Sequence, residues 1–168
     1  MSGSFENILD KPILKQEAGV IFINNPVEAF EKLYLDVRRA EGWFYEEREI
    51  INLPDVKIDD LHKPLWDIRK KSADDFIKYI SEMKNMNSLL DIGCGNGWLT
   101  NKVAKAKPGA LVAGIDIIAT ELQLAAKVFQ KEGINWICGD VMKDIFRKES
   151  FDIILLGAPL NIFLISGN

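Results

Sequence analysis

The 168-residue chain carries 25 acidic and 21 basic side chains, with 48% hydrophobic and 27% charged residues. These proportions exclude a disordered or fibrous protein and suit one main globular unit with a sizeable core. The net charge of −4 offers no general attraction to a nucleic-acid backbone or an anionic membrane, which leaves nucleic acid only a local patch. Cys94 and Cys138 have neither metal-type nor disulfide-framework spacing, and the start Met1-Ser2-Gly3-Ser4-Phe5-Glu6 lacks a basic region followed by an apolar run. A reducing cytoplasm and no metal are expected. The apolar stretch 153–165 is too short to span a bilayer and is broken by Gly157 and Pro159, so no membrane insertion is expected.

Taken in chain order, Pro12-Ile13-Leu14 and Val20-Ile21-Phe22-Ile23 flank the turn-like Glu17-Ala18-Gly19 and predict a small hairpin. In residues 27–41, Phe30, Leu33, Tyr34 and Val37 recur at helical spacing before Gly42, a helix stop. Residues 43–64 show no sustained period and read as an irregular connection with short helical pieces. Ser72, with Asp75 three residues on, reads as the cap of a helix whose apolar stripe is Phe76, Ile80 and Met83. After Asn87 the period changes. Residues 88–92, 111–116, 135–138 and 151–156 are short apolar runs suited to buried parallel strands. Helical candidates at 99–105, 120–131 and, briefly, 141–146 separate them. Alternation of this kind predicts an α/β sheet with right-handed crossovers.

The first of these strands runs directly into Gly93-Cys94-Gly95-Asn96-Gly97, and a helix follows. Loops in this position form the ligand sites of open α/β sheets. Glycine here allows a sharp turn and a close backbone approach to a ligand. A dinucleotide loop reads G-x-G-x-x-G, whereas here the third glycine comes one residue early and Trp98 stands in the usual place. That spacing disfavours a nicotinamide-dependent oxidoreductase.

The run Leu89-Leu90-Asp91-Ile92-Gly93-Cys94-Gly95-Asn96-Gly97 resembles the first motif of the class I, Rossmann-like S-adenosylmethionine-dependent methyltransferases. The resemblance continues through Gly114-Ile115-Asp116-Ile117, Cys138-Gly139-Asp140-Val141 and Phe151-Asp152-Ile153-Ile154-Leu155-Leu156, and covers residues 88–156. It implies S-adenosylmethionine as cofactor and methyl transfer to an acceptor, expected to be a small molecule. The implied cofactor contacts are Asp91, Gly93, Cys94, Gly95, Asn96, Gly97, Asp116, Ile117, Asp140 and Val141. Asp116 would accept the ribose hydroxyls, Asp140 would face the adenine amino group, and Asp91 would lie near the methionine ammonium or a loop amide. Each of these residues also suits a structural role. The glycines fit a bare turn, and Asp116 and Asp140 fit caps.

The family sheet has seven strands, and this chain ends soon after the fourth. The expectation is therefore an incomplete sheet of four parallel strands in residues 88–168, preceded by a mainly helical extension or cap in residues 1–87. The edge at 153–156 would then need a second copy or a partner. Gly157-Ala158-Pro159-Leu160 departs from the motif of nucleic-acid amino-methyltransferases. A non-catalytic S-adenosylmethionine-binding or interaction module is the alternative function. No catalytic residue is assigned, since in-line placement of the reactants can supply much of the acceleration. His62 reads as a surface residue, Arg69 as a solvated charge, Trp43-Phe44-Tyr45 as core, and Cys94 as unreactive.

Overall fold

The computed structural model describes residues 5–55, 61–158 and 161–166. The polar start Met1–Ser4 and the Pro159-Leu160 pair lie outside them. Residues 15–22 form a tight antiparallel hairpin of β1 (Lys15–Glu17) and β2 (Val20–Phe22). Ala18 and Gly19 both have positive φ, at 49° and 79°, the conformation that joins adjacent strands through a two-residue turn. That turn pairs Glu17 with Val20, so the first strand is Lys15–Glu17 rather than the expected Pro12-Ile13-Leu14. Val20 and Phe22 are buried, because β2 also lies parallel to a strand of the main sheet.

Helix α1 (Glu28–Ala40) ends as its glycine predicts. Gly42 donates to the carbonyl of Arg39 and Trp43 to that of Arg38, with Gly42 at φ 74°, which is a Schellman stop. The expected apolar stripe does not face the core, however. Phe30, Leu33 and Val37 are exposed, whereas Leu35 is buried. A short α2 (Glu47–Ile50) opens with a capping box between Glu46 and Glu49. Helix α3 (Lys63–Glu82) begins nine residues before Ser72, which lies within it. Pro64 in its first turn is the true start signal, since proline lacks only a donor that has no helical partner there. Trp66, Ala73, Phe76 and Ile80 form its buried face.

The core follows the predicted alternation: β3 (Ser88–Ile92), α4 (Trp98–Ala106), β4 (Leu111–Asp116), α5 (Ala119–Val128), β5 (Asn135–Cys138) and β6 (Ile153–Ala158). The short helix expected at 141–146 is only a 3-10 turn, Val141–Lys143, broken by Asp144 at φ 48°. A final strand, β7 (Asn161–Ser166), lies antiparallel to β6. The sheet order is β1-β2-β5-β4-β3-β6-β7. Neither edge of the parallel core is therefore open as the sequence suggested. β7 pairs along the edge expected to need a partner, because an antiparallel return takes only a short turn whereas a parallel strand needs a long crossover. On the other side the N-terminal hairpin extends the sheet beyond β5.

Alternate residues feed two faces. Leu89, Val112, Ile153 and Leu155 pack with Phe76, Ile80 and Val103 under α3 and α4, while Trp136 and Cys138 pack with α5, Trp66 and the hairpin. The opposite face buries Leu90, Ala113, Ile115 and Ile137 beneath Leu9, Ile145 and Phe151. There the cover is irregular chain. It is held by Asp10 N donating to Ile145 O and Arg147 N to Ile8 O.

Because Phe22 is buried inside the sheet, Phe22→Ala is expected to cost about 3–5 kcal/mol in urea denaturation. A loss below about 1 kcal/mol would show that the hairpin contributes little to the folded sheet.

Candidate functional site

The strand order reverses beside β3: the chain moves from β3 to β4 to β5, then returns to place β6 on the other side of β3. The crevice at the carboxyl ends of strands around such a reversal is where open α/β sheets bind ligands. Gly93, Cys94, Gly95, Asn96 and Gly97 occupy that position. Gly93 N and Cys94 N both donate to Ile115 O, which fastens the loop to the end of β4.

Two glycines have identifiable steric reasons. Gly97 has φ 72°, and a Cβ there would lie 2.3 Å from the Trp136 ring. Gly95 has φ 52°, and its Cβ would lie 3.1 Å from Glu121 Oε2. Any side chain at these points would push the loop off the sheet or into that carboxyl.

Asp116, the last residue of β4, ties the neighbouring loops together. Its Oδ2 accepts from Gly95 N at 2.9 Å, and its Oδ1 accepts from Ile118 N at 3.0 Å. It thus caps the following segment and grips the glycine loop at once. A carboxylate has about four lone-pair positions, so acceptor capacity remains for a ligand. Burial raises its pKa, while the hydrogen bonds from Ile118, Gly95 and Ile117 oppose that shift.

Asp91 is buried beneath the loop, and its Oδ2 accepts the Thr100 hydroxyl at 2.6 Å. A side-chain hydroxyl therefore fills the place where the sequence suggested a loop amide. Burial pushes the Asp91 pKa up to about 7; the Thr100 hydrogen bond lowers it and the Asp116 charge raises it. Ile117 is exposed beside Asp116, and Val141 is half-buried. Asp140 stands two residues past Cys138, which pairs with Asp116 across β4 and β5. Its Oδ1 accepts from Met142 N at 3.1 Å, capping the 3-10 turn, and its own N–H donates to Asn24 Oδ1 at 3.0 Å. Asn96 Oδ1 accepts from Trp98 N at 3.4 Å. Burial, with Asp91, Asp116 and Glu121 adding to the effect, holds the Cys94 thiol pKa well above its usual value.

Several neighbours of the site carry no local sequence signal. Glu121 is buried, with its pKa raised to about 7 by burial and by Asp116 while Arg38 opposes. Glu31 of α1 accepts from both Thr120 N and Thr120 Oγ1 at 2.7 Å, which pins α1 to the start of α5. Tyr34 comes with it. Burial and Glu121 raise the Tyr34 pKa to about 12, with Arg38 lowering it and Asp116 adding to the rise. His62 is buried against Trp43, with ring centroids 4.1 Å apart, rather than lying at the surface. Of the aromatic segment expected as core only Tyr45 is buried, stacking edgewise on Trp66 and accepting its indole N–H at 2.7 Å, while Trp43 and Phe44 are half-buried under arginine side chains.

The acceptors converge where a ligand with hydroxyl and ammonium donors would be satisfied. Asp116 keeps lone pairs free, Asp140 Oδ2 is clear of its cap with Lys143 Nζ 4.0 Å away, and the buried carboxyls of Asp91 and Glu121 lie close to Asp116. That donor requirement fits S-adenosylmethionine, which brings ribose hydroxyls, an ammonium and a sulfonium.

Comparison with known proteins agrees with this geometry. Residues 89–165 match a family model described as a methyltransferase domain. Malonyl-[acyl-carrier protein] O-methyltransferase from Priestia megaterium is 28% identical over 99 residues, 58% of this chain and 36% of the relative. The ubiquinone biosynthesis O-methyltransferase of Coxiella burnetii is 34% identical over 84 residues, 46% of this chain and 34% of the relative. The chain thus spans little more than a third of the curated relatives it matches. A crystal structure of magnesium protoporphyrin IX methyltransferase from Synechocystis, with bound S-adenosylmethionine, superposes with a TM-score of 0.55 at 20% identity. It covers 75% of this chain and 60% of that one, a likeness of fold.

Glu121 provides a test of this electrostatic setting. A raised folded-state pKa means that its stabilising contribution is complete below the ordinary value near 4.5 and is lost as pH rises through about 7. Glu121→Gln should therefore gain stability relative to wild type as pH increases, read as urea midpoints at about pH 5 and about pH 8. An equal difference at both values would mean that the carboxyl is not desolvated.

Proposed function

We propose that residues 89–165, which match a methyltransferase domain, make the protein a class I, S-adenosylmethionine-dependent methyltransferase that methylates a small-molecule acceptor. The observation that carries the reading is Asp116, held by Gly95 and Ile118 at the junction of the glycine loop and β4 with acceptor capacity to spare. In this reading its remaining lone pairs take the ribose hydroxyls. Asp140 faces the adenine amino group, flanked by Ile117 and Val141. The backbone of Gly93, Cys94, Gly95, Asn96 and Gly97 accommodates the methionyl portion. Asp91, buried under the loop, supplies negative potential toward the ammonium. When bound, the cofactor supplies an electrophilic methyl group on its sulfonium.

The protein's own contribution is placement. The loop and Asp116 fix one reactant, and the elements before β3 enclose the other, so alignment can supply much of the acceleration without a dedicated acid or base. Residues 88–168 serve as the binding core, extended by the hairpin at residues 15–22, and the helices before β3 serve as the cap. Among the described residues no helix is long and apolar enough to cross a membrane. A cytoplasmic location agrees with the two unpaired cysteines.

Titration calorimetry with S-adenosylhomocysteine tests the reading. Micromolar binding by wild type is expected, with Asp116→Ala weakening it at least about tenfold, since charge-assisted hydrogen bonds contribute about 1.5–3 kcal/mol each. Gly95→Val should abolish binding. No binding by the folded wild type would overturn the proposal.

A further inference from the structure

Two guanidinium groups meet on one indole ring beside the glycine loop. The Schellman stop of α1 folds Trp43 back over the last turn, which brings the Arg38 guanidinium to 5.6 Å from the Trp43 ring centroid. Arg69, from the second turn of α3, lies 4.8 Å from the same ring and 5.1 Å from that of Trp66. Trp66 in turn meets Trp98, the first residue after the loop, with centroids 5.4 Å apart. The cluster is therefore continuous with the start of α4, while Arg38 also lies 5.7 Å from the Tyr34 ring centroid on its own helix and acts electrostatically on Glu121.

Neither arginine is matched by an acid. Among the described residues no carboxylate lies within ion-pair distance of Arg38 or Arg69, although nine other ion pairs form. Arg38 Nε is a buried donor with no hydrogen-bond partner. Arg69 is half-buried, and its pKa is lowered first by that burial and then by the Arg38 charge. Two like charges drawn out of water beside one another, with a buried N–H unsatisfied, are costly unless an anion completes the group. The planar forks of arginine suit a carboxylate, and the indole walls suit the organic body attached to it.

We propose that Arg38 and Arg69, with Trp43 between them, bind an anionic group of the acceptor, a carboxylate in the first instance, and thereby make the protein selective for acidic acceptors. The carboxylate is an anchor and need not be the atom that receives the methyl group. The inference rests on the methyltransferase reading for the identity of the second reactant. A comparison with the decarboxylated cofactor analogue separates it from a contact to the cofactor's own carboxylate. S-adenosylmethionine carries a net positive charge, which suits the side of the crevice holding Asp91, Asp116 and Glu121.

The test uses the full chain, first saturated with S-adenosylhomocysteine, and compares phenylacetate with its neutral isostere phenylacetamide by calorimetry at low ionic strength. Wild type should bind phenylacetate at least about tenfold more tightly than the amide. Arg38→Gln and Arg69→Gln should each erase that preference while leaving S-adenosylhomocysteine affinity within about threefold of wild type. If a glutamine variant fails to fold, Arg38→Lys or Arg69→Lys takes its place, and the preference should shrink because a point charge lacks the fork. Absence of a preference in wild type, or its survival in the variants, would overturn the proposal. So would a tenfold loss of S-adenosylhomocysteine affinity in the variants that is not seen with the decarboxylated analogue, since the arginines would then hold the cofactor tail. Failure of wild type to bind S-adenosylhomocysteine counts against the methyltransferase reading instead. The phenylacetate comparison, run on the protein alone, then decides the arginine cluster by the same outcomes.

Discussion

The contact on which the site depends is the packing of Trp136 beneath the glycine loop. Its ring occupies the space where Cβ atoms on Gly97 and Gly114 would lie, at 2.3 and 2.9 Å. Those two absent side chains let the indole slide under the loop and join the buried cluster with α5 and β2. The loop is thereby held close to the sheet, within reach of Asp116. A larger residue at Gly97 would displace either the ring or the turn, and the Gly95–Asp116 hydrogen bond would be disturbed with it. The glycines thus serve the fold and the site together, so a structural role for them does not compete with a ligand role.

Charge is divided between the core and the elements that precede it. Asp91, Asp116 and Glu121 gather on the side of the core, and burial keeps the pKa values of Asp91 and Glu121 near 7. The elements before β3 bring Arg38 and Arg69. Glu31, bonded to Thr120, pins α1 to the start of α5 and brings Arg38 within electrostatic reach of Glu121.

The N-terminal hairpin gives this arrangement its base. Ile23 N donates to Cys138 O and Asn24 Oδ1 accepts from Asp140 N, so the end of β5, where Asp140 stands, is fixed by residues more than a hundred positions away. The segment before the core is therefore part of the sheet as well as a cover over it. The exposed Phe30, Leu33 and Val37 show that α1 is held by polar and ring contacts along its inner side rather than by its most apolar stripe.

What the sequence determined by itself was the local grammar of the core. Short apolar runs, the glycine loop and the carboxylates at strand ends are contiguous patterns with a fixed period or spacing. They located β3, β4 and β5, the start of β6, the helices α4 and α5, and the placement of Asp91, Asp116 and Asp140 at strand ends. Gly42 likewise marked the end of α1 because a left-handed residue after a helix is a local demand. Only the tertiary structure decided which distant pieces meet. β2 joins β5, β7 returns on β6, Glu121 comes to Asp116 and Gly95, and Arg38 and Arg69 meet on Trp43. These depend on pairings between residues far apart in the chain, for which no short-range periodicity exists. A proline in the first turn of α3 and a two-residue turn at Ala18-Gly19 also outweighed weaker local signals, because each constrains the backbone directly whereas a cap or an apolar run merely favours one conformation.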